Sequence, residues 1–127
     1  MALVTAVVML ALIEYFIFSL QVGSARGRFG IKAPATTGNE EFERYYRAAA
    51  NTGEQLLLFI PGMYAFGTYV DSTGAAIAGL VFIAARALYF RTYVADADKR
   101  GPGMMGSVLA NAVLVLGGLG GALMSAF

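Results

Sequence analysis

The chain contains no cysteine and no histidine. Their absence excludes disulfides, zinc or haem ligation through these side chains, cysteine nucleophiles and histidine general bases. Any thiol chemistry carried out here must use a thiol that arrives with a ligand. Charge is scarce too: 9 Lys and Arg against 8 Asp and Glu leave a net charge of +1. With no basic run and no basic patch interleaved with aromatics, nucleic acid is not an expected partner. No Walker loop and no dinucleotide glycine fingerprint is present. Of the 3 prolines, Pro61 alone falls inside an apolar stretch.

What the chain has in excess is apolar surface. Hydrophobic residues make up 58% of its 127 positions, and its mean hydropathy is +0.66. This is too apolar for a soluble domain of the size, so a single membrane-embedded domain over residues 1–127 is expected. A bilayer core takes about 20 helical residues to cross. Four spans meet that length, over about 2–22, 40–67, 75–95 and 104–127, giving an all-α membrane protein with a four-helix bundle. Small residues at Val22-Gly23-Ser24-Ala25 imitate a signal cleavage site. No positive segment precedes the first span, however, and its apolar run is too long, so an uncleaved helix is expected.

Gly23 to Glu43 reads as the longest polar surface loop, with Arg26, Arg28, Lys32 and a turn-forming run from Ala33 to Gly38. The second helix should begin near Asn39 to Glu41, with acidic residues in its first turn, and Pro61 should kink it near Leu57 to Ile60. Thr68 to Gly74 is a short connection, and Asp96 to Gly103 a second polar loop. In the charge-free last helix, Gly117-Gly118-Leu119-Gly120-Gly121 allows close backbone approach and reads as packing. Arg26, Arg28, Lys32, Lys99 and Arg100 all fall in the two longer loops, which the positive-inside rule assigns to the cytoplasm.

Polar residues inside the spans carry the functional signal. Arg44, Arg47, Asn51 and Glu54 occupy an arc of roughly 80° on the second helix. Each charge in a bilayer costs about 2.5–3.5 kcal/mol on insertion scales, so such a stripe needs a reason. One reading is an interhelical network that only holds the bundle together; the other is a pocket for a small ligand bearing both charges. Glu14 and Gln21 share one face of the first helix, expected to look inward. At about 1.5 Å rise per residue, Glu54 and Glu14 lie roughly 15 Å deep and Arg86 about 13 Å, so Arg86 is expected to be neutralised by Glu54 or Glu14. Arg86, Tyr89 and Tyr93 span roughly 60° of the third helix. Together these groups suit a zwitterionic, carboxylate-rich molecule, with arginines for carboxylates, Glu for an amine, and Asn and Tyr for peptide groups.

Three sequence runs, Phe18-Ser19-Leu20-Gln21-Val22-Gly23-Ser24-Ala25-Arg26, then Glu41-Phe42-Glu43-Arg44 with Tyr46-Arg47-Ala48, Asn51 and Glu54, then Ala85-Arg86-Ala87-Leu88-Tyr89-Phe90-Arg91-Thr92-Tyr93, resemble the MAPEG family. The likeness is nearest to its leukotriene C4 synthase and microsomal glutathione S-transferase branch. It implies a homotrimer of four-helix subunits with glutathione, as co-substrate, bound between neighbouring subunits near the cytoplasmic face. By that resemblance Arg26, Arg47, Asn51, Glu54, Tyr89 and Tyr93 hold glutathione, Arg86 belongs to the same wall, and Arg100 is the catalytic residue that stabilises the thiolate. The thiolate then attacks a lipophilic electrophile or hydroperoxide arriving from membrane lipid. Two departures stand out. Gly27 replaces a second arginine, for which Arg28 is a candidate substitute, and Gln55 replaces a tyrosine. The rival readings are a non-catalytic lipid-binding scaffold resembling the five-lipoxygenase-activating protein, and a structural or transport protein whose charges form a relay. The lack of an internal repeat or of paired broken helices weakens the last.

Overall fold

The computed structural model describes residues 1–127. Four long helices follow one another: α1 (Ala2–Phe29), α2 (Glu40–Tyr69), α3 (Ser72–Ala95) and α4 (Gly101–Ala126), with a 3-10 turn at Ala97–Lys99 before α4. There is no strand. By length and composition α1, α3 and α4 are each apolar enough to cross a membrane. In α2 the charged residues of the first half offset the apolar second half.

Helix ends follow local chemistry, and two of them correct the sequence reading. The first helix does not stop at Val22 but runs to Phe29, so the expected Gly23–Glu43 loop begins only at Gly30. Gly30 closes the helix with φ 69°, and Arg26 and Arg28 lie in its last turn, where cations suit the helix dipole. Bilayer thickness sets how much of a helix is apolar, and here the backbone stays helical beyond that length. The last helix begins at Gly101 rather than Met104, because Pro102 in its first turn has no N–H that a helix would use. Elsewhere side chains cap the starts: Asn39 Oδ1 accepts from Phe42 N at 2.9 Å and Asp71 Oδ2 from Gly74 N at 2.7 Å, each satisfying an orphan donor.

The core divides along the bundle axis. The larger cluster joins Val4, Val7 and Val8 of α1 to Phe59 and Met63 of α2, Phe82 of α3 and Leu114 of α4, with Phe59 and Phe82 stacked at 4.2 Å. The smaller one gathers Phe18, Ala48, Ala49, Tyr89 and Phe90 toward the other end. Leu10, Ile13, Phe16 and Ile17 of α1 and Leu116, Leu119 and Leu123 of α4 point outward, as lipid-facing residues do. Gly117, Gly118 and Gly121 let α4 lie against Phe66, Ala65 and the Tyr69 backbone of α2, so part of the expected small-residue strip does pack. Gly120 faces open space.

Candidate functional site

The site is built around Arg86, whose side chain is wholly enclosed. It projects from α3 into oxygens supplied by α2 and α4, two of the three helices packed against it. Nε and Nη2 donate to Thr52 Oγ1 at 3.2 and 2.8 Å, Nη2 also to Asn51 Oδ1 at 2.9 Å, and Nη1 to Ser107 Oγ at 3.0 Å. Thr52 spends its own proton on Ala48 O at 2.9 Å, and Ser107 spends its proton on Gly103 O or Met104 O at 3.1 and 3.0 Å. Both hydroxyls therefore turn lone pairs toward the guanidinium. Every hydrogen-bond partner of the cation is neutral.

This corrects the expectation that Glu54 or Glu14 neutralises Arg86. Glu54 lies two residues past Thr52, about 200° round the helix, on the outer face of α2. Glu14 comes within electrostatic reach of Arg86 but makes no hydrogen bond or ion pair with it, and its Oε1 is enclosed without any partner. Gln21, expected to look inward with Glu14, is instead exposed and lines a shallow cavity with Arg28.

From Arg86 a row of contacts runs to the end of the bundle. The guanidinium carbon lies 4.0 Å from the Tyr89 ring centre, the Tyr89 and Tyr93 rings are 5.4 Å apart, and the Arg100 guanidinium is 5.8 Å from Tyr93. Stacking of a cation on an aromatic face is favourable, most of all where water is excluded. Tyr89 is held in place by the tight crossing of α4, since a β-carbon on Gly103 would overlap the Tyr89 backbone. Arg100 is exposed, with Nη1 donating to Ala97 O at 2.6 Å. Asn51, Arg86, Tyr89, Tyr93 and Arg100 are thus brought together within one chain.

The other three residues singled out in the sequence stand apart. Arg26 donates to Ala35 O at 2.7 Å and covers the Phe42 ring at 5.0 Å, fastening the α1–α2 connection over the bundle. Arg47 and Glu54 are exposed and make no hydrogen bond or ion pair within the chain. Arg44, on the same stripe, is committed elsewhere, donating through Nε to Val94 O at 3.0 Å. None of the cavities in the chain is lined by any of the eight residues. A polar cavity of about 340 Å³ between α1 and α2 is lined by Gln21, Ser24, Ala25, Arg28 and Tyr45. Arg28 itself pairs with Glu41 at 3.6 Å and contacts the Tyr45 hydroxyl at 3.4 Å.

Sequence reasoning did not single out Thr52, Ser107 or Asn111, and noted Gln55 only as a replacement for a tyrosine, not as the partner of Asn111. Their common signal was a small or amide polar residue in an apolar helix on the face toward a buried arginine: 51, 52 and 55 on α2 against 107 and 111 on α4.

The MAPEG family model matches residues 3–120. An uncharacterized protein of Synechocystis is 45% identical over 118 residues, covering 93% of this chain and 84% of that protein. Human microsomal glutathione S-transferase 2 is 40% identical over 119 residues, covering 93% of this chain and 81% of that protein. Bovine leukotriene C4 synthase is 41% identical over 99 residues, or 78% of this chain and 66% of the synthase. The match runs through all four helices, from the start of α1 well into α4. The chain belongs to the MAPEG family and is an all-α integral membrane protein.

Proposed function

We propose that the protein is a glutathione transferase or peroxidase of the membrane, working as a homotrimer with glutathione held between subunits at the cytoplasmic face. The observation that carries this reading is the division of the polar set. Asn51, Arg86, Tyr89, Tyr93 and Arg100 form one row, while Arg47 and Glu54 stand unpaired on the outer face of a long helix in a membrane protein. Two unpaired charges there cost about 2.5–3.5 kcal/mol each on insertion scales. A neighbouring subunit that covers that face encloses them and supplies the missing walls of the cleft. Arginines then take the carboxylates of glutathione, Glu54 its amine, and Asn51 and the tyrosines its peptide groups. Arg26, at the end of α1, completes the cationic side. The similarity to a glutathione S-transferase supports the same reading.

Arg100 lies at the open end of the row and is the catalytic residue in this reading. A free thiol with pKa near 8.5 is mostly protonated at neutral pH. A guanidinium beside the sulfur favours the anion, and each unit of lowering is worth about 1.4 kcal/mol. Lowering by about two units takes the thiolate from a few per cent to a large majority, with some loss of intrinsic nucleophilicity. Arginine suits this role because it keeps its charge at every working pH. The electrophile reaches the sulfur laterally from lipid.

Two measurements test the proposal. Glutathione should raise the melting temperature of the solubilised protein in a dose-dependent way, and the protein should conjugate glutathione to a chromogenic aryl halide. Arg100→Ala should reduce turnover strongly with little change in glutathione affinity. A glutathione-dependent melting shift without turnover towards aryl halide or hydroperoxide supports a binding scaffold instead. No shift at millimolar glutathione removes the pocket altogether.

A further inference from the structure

The polar cavity of about 340 Å³ beside α1 takes no part in the row around Arg86, and its walls are chemically uncommitted. Gln21, Ser24, Ala25 and Arg28 recur at intervals of three and four, so they share one face of α1, and Tyr45 of α2 closes the space. Gln21 and Ser24 are exposed and make no hydrogen bond within the chain. Tyr45 meets the Phe90 ring of α3 edge-on at 5.8 Å, and its hydroxyl, 3.4 Å from Arg28 Nη2, keeps its own proton free to donate. Glu41 touches the same Nη2 at 3.6 Å from an exposed position, so Nε and Nη1 of Arg28 meet no oxygen at all. Arg28 lies about 200° round α1 from Arg26, and therefore opens onto a different surface.

Depth and chemistry together say what fits there. The apolar run of α1 ends at Val22, so this face passes from hydrocarbon to headgroup level along the cavity. Deeper in the bilayer Leu10, Ile13 and Ile17 are exposed, and with Gln21, Ser24 and Arg28 they occupy roughly 80° of the helix. One face thus offers apolar side chains over two turns and then a guanidinium, two hydroxyls and an amide, with no carboxylate lining the space. Arginine takes phosphate oxygens through its fork of N–H groups, and the Ser24 and Tyr45 hydroxyls and the Gln21 amide can donate beside it. A basic pocket at the headgroup level of a helix bundle attracts anionic lipid. A free phosphate would leave the apolar half of the face unused.

We infer that the Gln21–Ser24–Arg28–Tyr45 cavity is a binding site for the phosphodiester headgroup of an anionic phospholipid, whose acyl chains lie along Leu10, Ile13 and Ile17. The site stands apart from the function proposed above, since neither glutathione nor an electrophile enters it. The test titrates the detergent-solubilised protein with dioleoyl phosphatidylglycerol or dioleoyl phosphatidylcholine and counts the lipid retained per chain by native mass spectrometry. The first phosphatidylglycerol should bind roughly fivefold more tightly than phosphatidylcholine, the effect of one arginine at a membrane surface. Arg28→Ala should remove that preference. Arg91→Ala takes the same charge from an exposed position of α3 that does not line the cavity, and should leave the preference intact. Glu41→Gln releases the one acid that competes for the Arg28 fork, and should tighten phosphatidylglycerol binding. Equal binding of the two lipids overturns the inference. So does an equal loss with Arg91→Ala, which would mean diffuse attraction and no site, or weaker binding in Glu41→Gln. Displacement of the lipid by sn-glycerol 1-phosphate at equal concentration overturns it as well, since a free phosphate would then be the ligand. If Arg28→Ala lowers the yield of folded protein, Ser24→Leu fills the cavity from an exposed position without altering charge, and should give the same loss of preference.

Discussion

The neutral clamp around Arg86 makes a prediction that separates it from an ion pair. Arg86→Lys keeps the positive charge near Glu14 but replaces a planar fork with one nitrogen. The guanidinium makes 4 hydrogen bonds to oxygens on two helices, and an ammonium on a shorter reach cannot span Thr52, Asn51 and Ser107 together. With at least two bonds lost, and bonds from charged donors worth about 1.5–3 kcal/mol each, the cost is about 3 kcal/mol or more. Against a typical total stability of about 5–15 kcal/mol, that is a large fraction. The assay is thermal unfolding of the detergent-solubilised protein, completed by double-mutant cycles pairing Arg86→Lys with Ser107→Ala and with Glu14→Gln. Coupling to Ser107 should be on the order of 1.5 kcal/mol, and coupling to Glu14 smaller. A coupling to Glu14 larger than that to Ser107 would refute the clamp and restore the ion pair. A near-neutral Arg86→Lys would show that charge alone, and not the fork, is what the bundle needs.

Further outcomes follow from the same geometry. Gly103→Ala pushes a β-carbon into the Tyr89 backbone and should cost about 1–3 kcal/mol; it should also lower glutathione affinity, because Tyr89 moves with it. Glu54→Gln should weaken glutathione binding roughly tenfold or more, as expected for loss of a charge-assisted bond, with little effect on subunit stability since Glu54 has no internal partner; isothermal titration reads this directly. Arg28→Ala removes an exposed pair with Glu41 and should change stability by less than about 1 kcal/mol. Asn39→Ala deletes the α2 cap and should cost about 1 kcal/mol, seen as a lower melting temperature at unchanged glutathione affinity.

Much of the bundle was legible because lipid imposes a simple rule on composition. Apolar runs of bilayer length are helices, and Asn39 with the acidic turn after it marks the start of α2, whereas Gly30 and Asp71 went unread as helix ends. What composition could not show was where helix continues past the apolar part, as α1 does through Arg26 and Arg28. Of the groups gathered around Arg86, Asn51, Tyr89 and Tyr93 stood out in the sequence, but their pairings did not. Arg86 was recognisable as a charge too deep to stand alone, but Coulomb reasoning pointed to carboxylates at the same depth, when rotation about the helix decides the contact. Thr52 was passed over because a threonine in an apolar helix carries no charge to attract notice, although its hydroxyl takes two of the arginine's bonds.

That rotation also explains why the polar residues of α2 serve two ends. Asn51 and Thr52 are adjacent and both reach Arg86, so one edge of the stripe is consumed in fixing α3 and, through Ser107, α4. Arg47 and Glu54 lie about 20° apart on the helix and away from that edge, so the same rigid attachment that buries Asn51 holds them outward. The clamp and the free charges are therefore not competing uses of one stripe. The first sets the angle at which the second is presented, so a substitution at Arg86 should disturb glutathione binding at Arg47 and Glu54, which it does not touch, as well as at Asn51 and Tyr89, which it does. Arg86→Lys supplies the check: if the clamp orients α2, glutathione affinity falls along with stability. If affinity is unchanged in folded Arg86→Lys protein, α2 is oriented by its apolar packing alone.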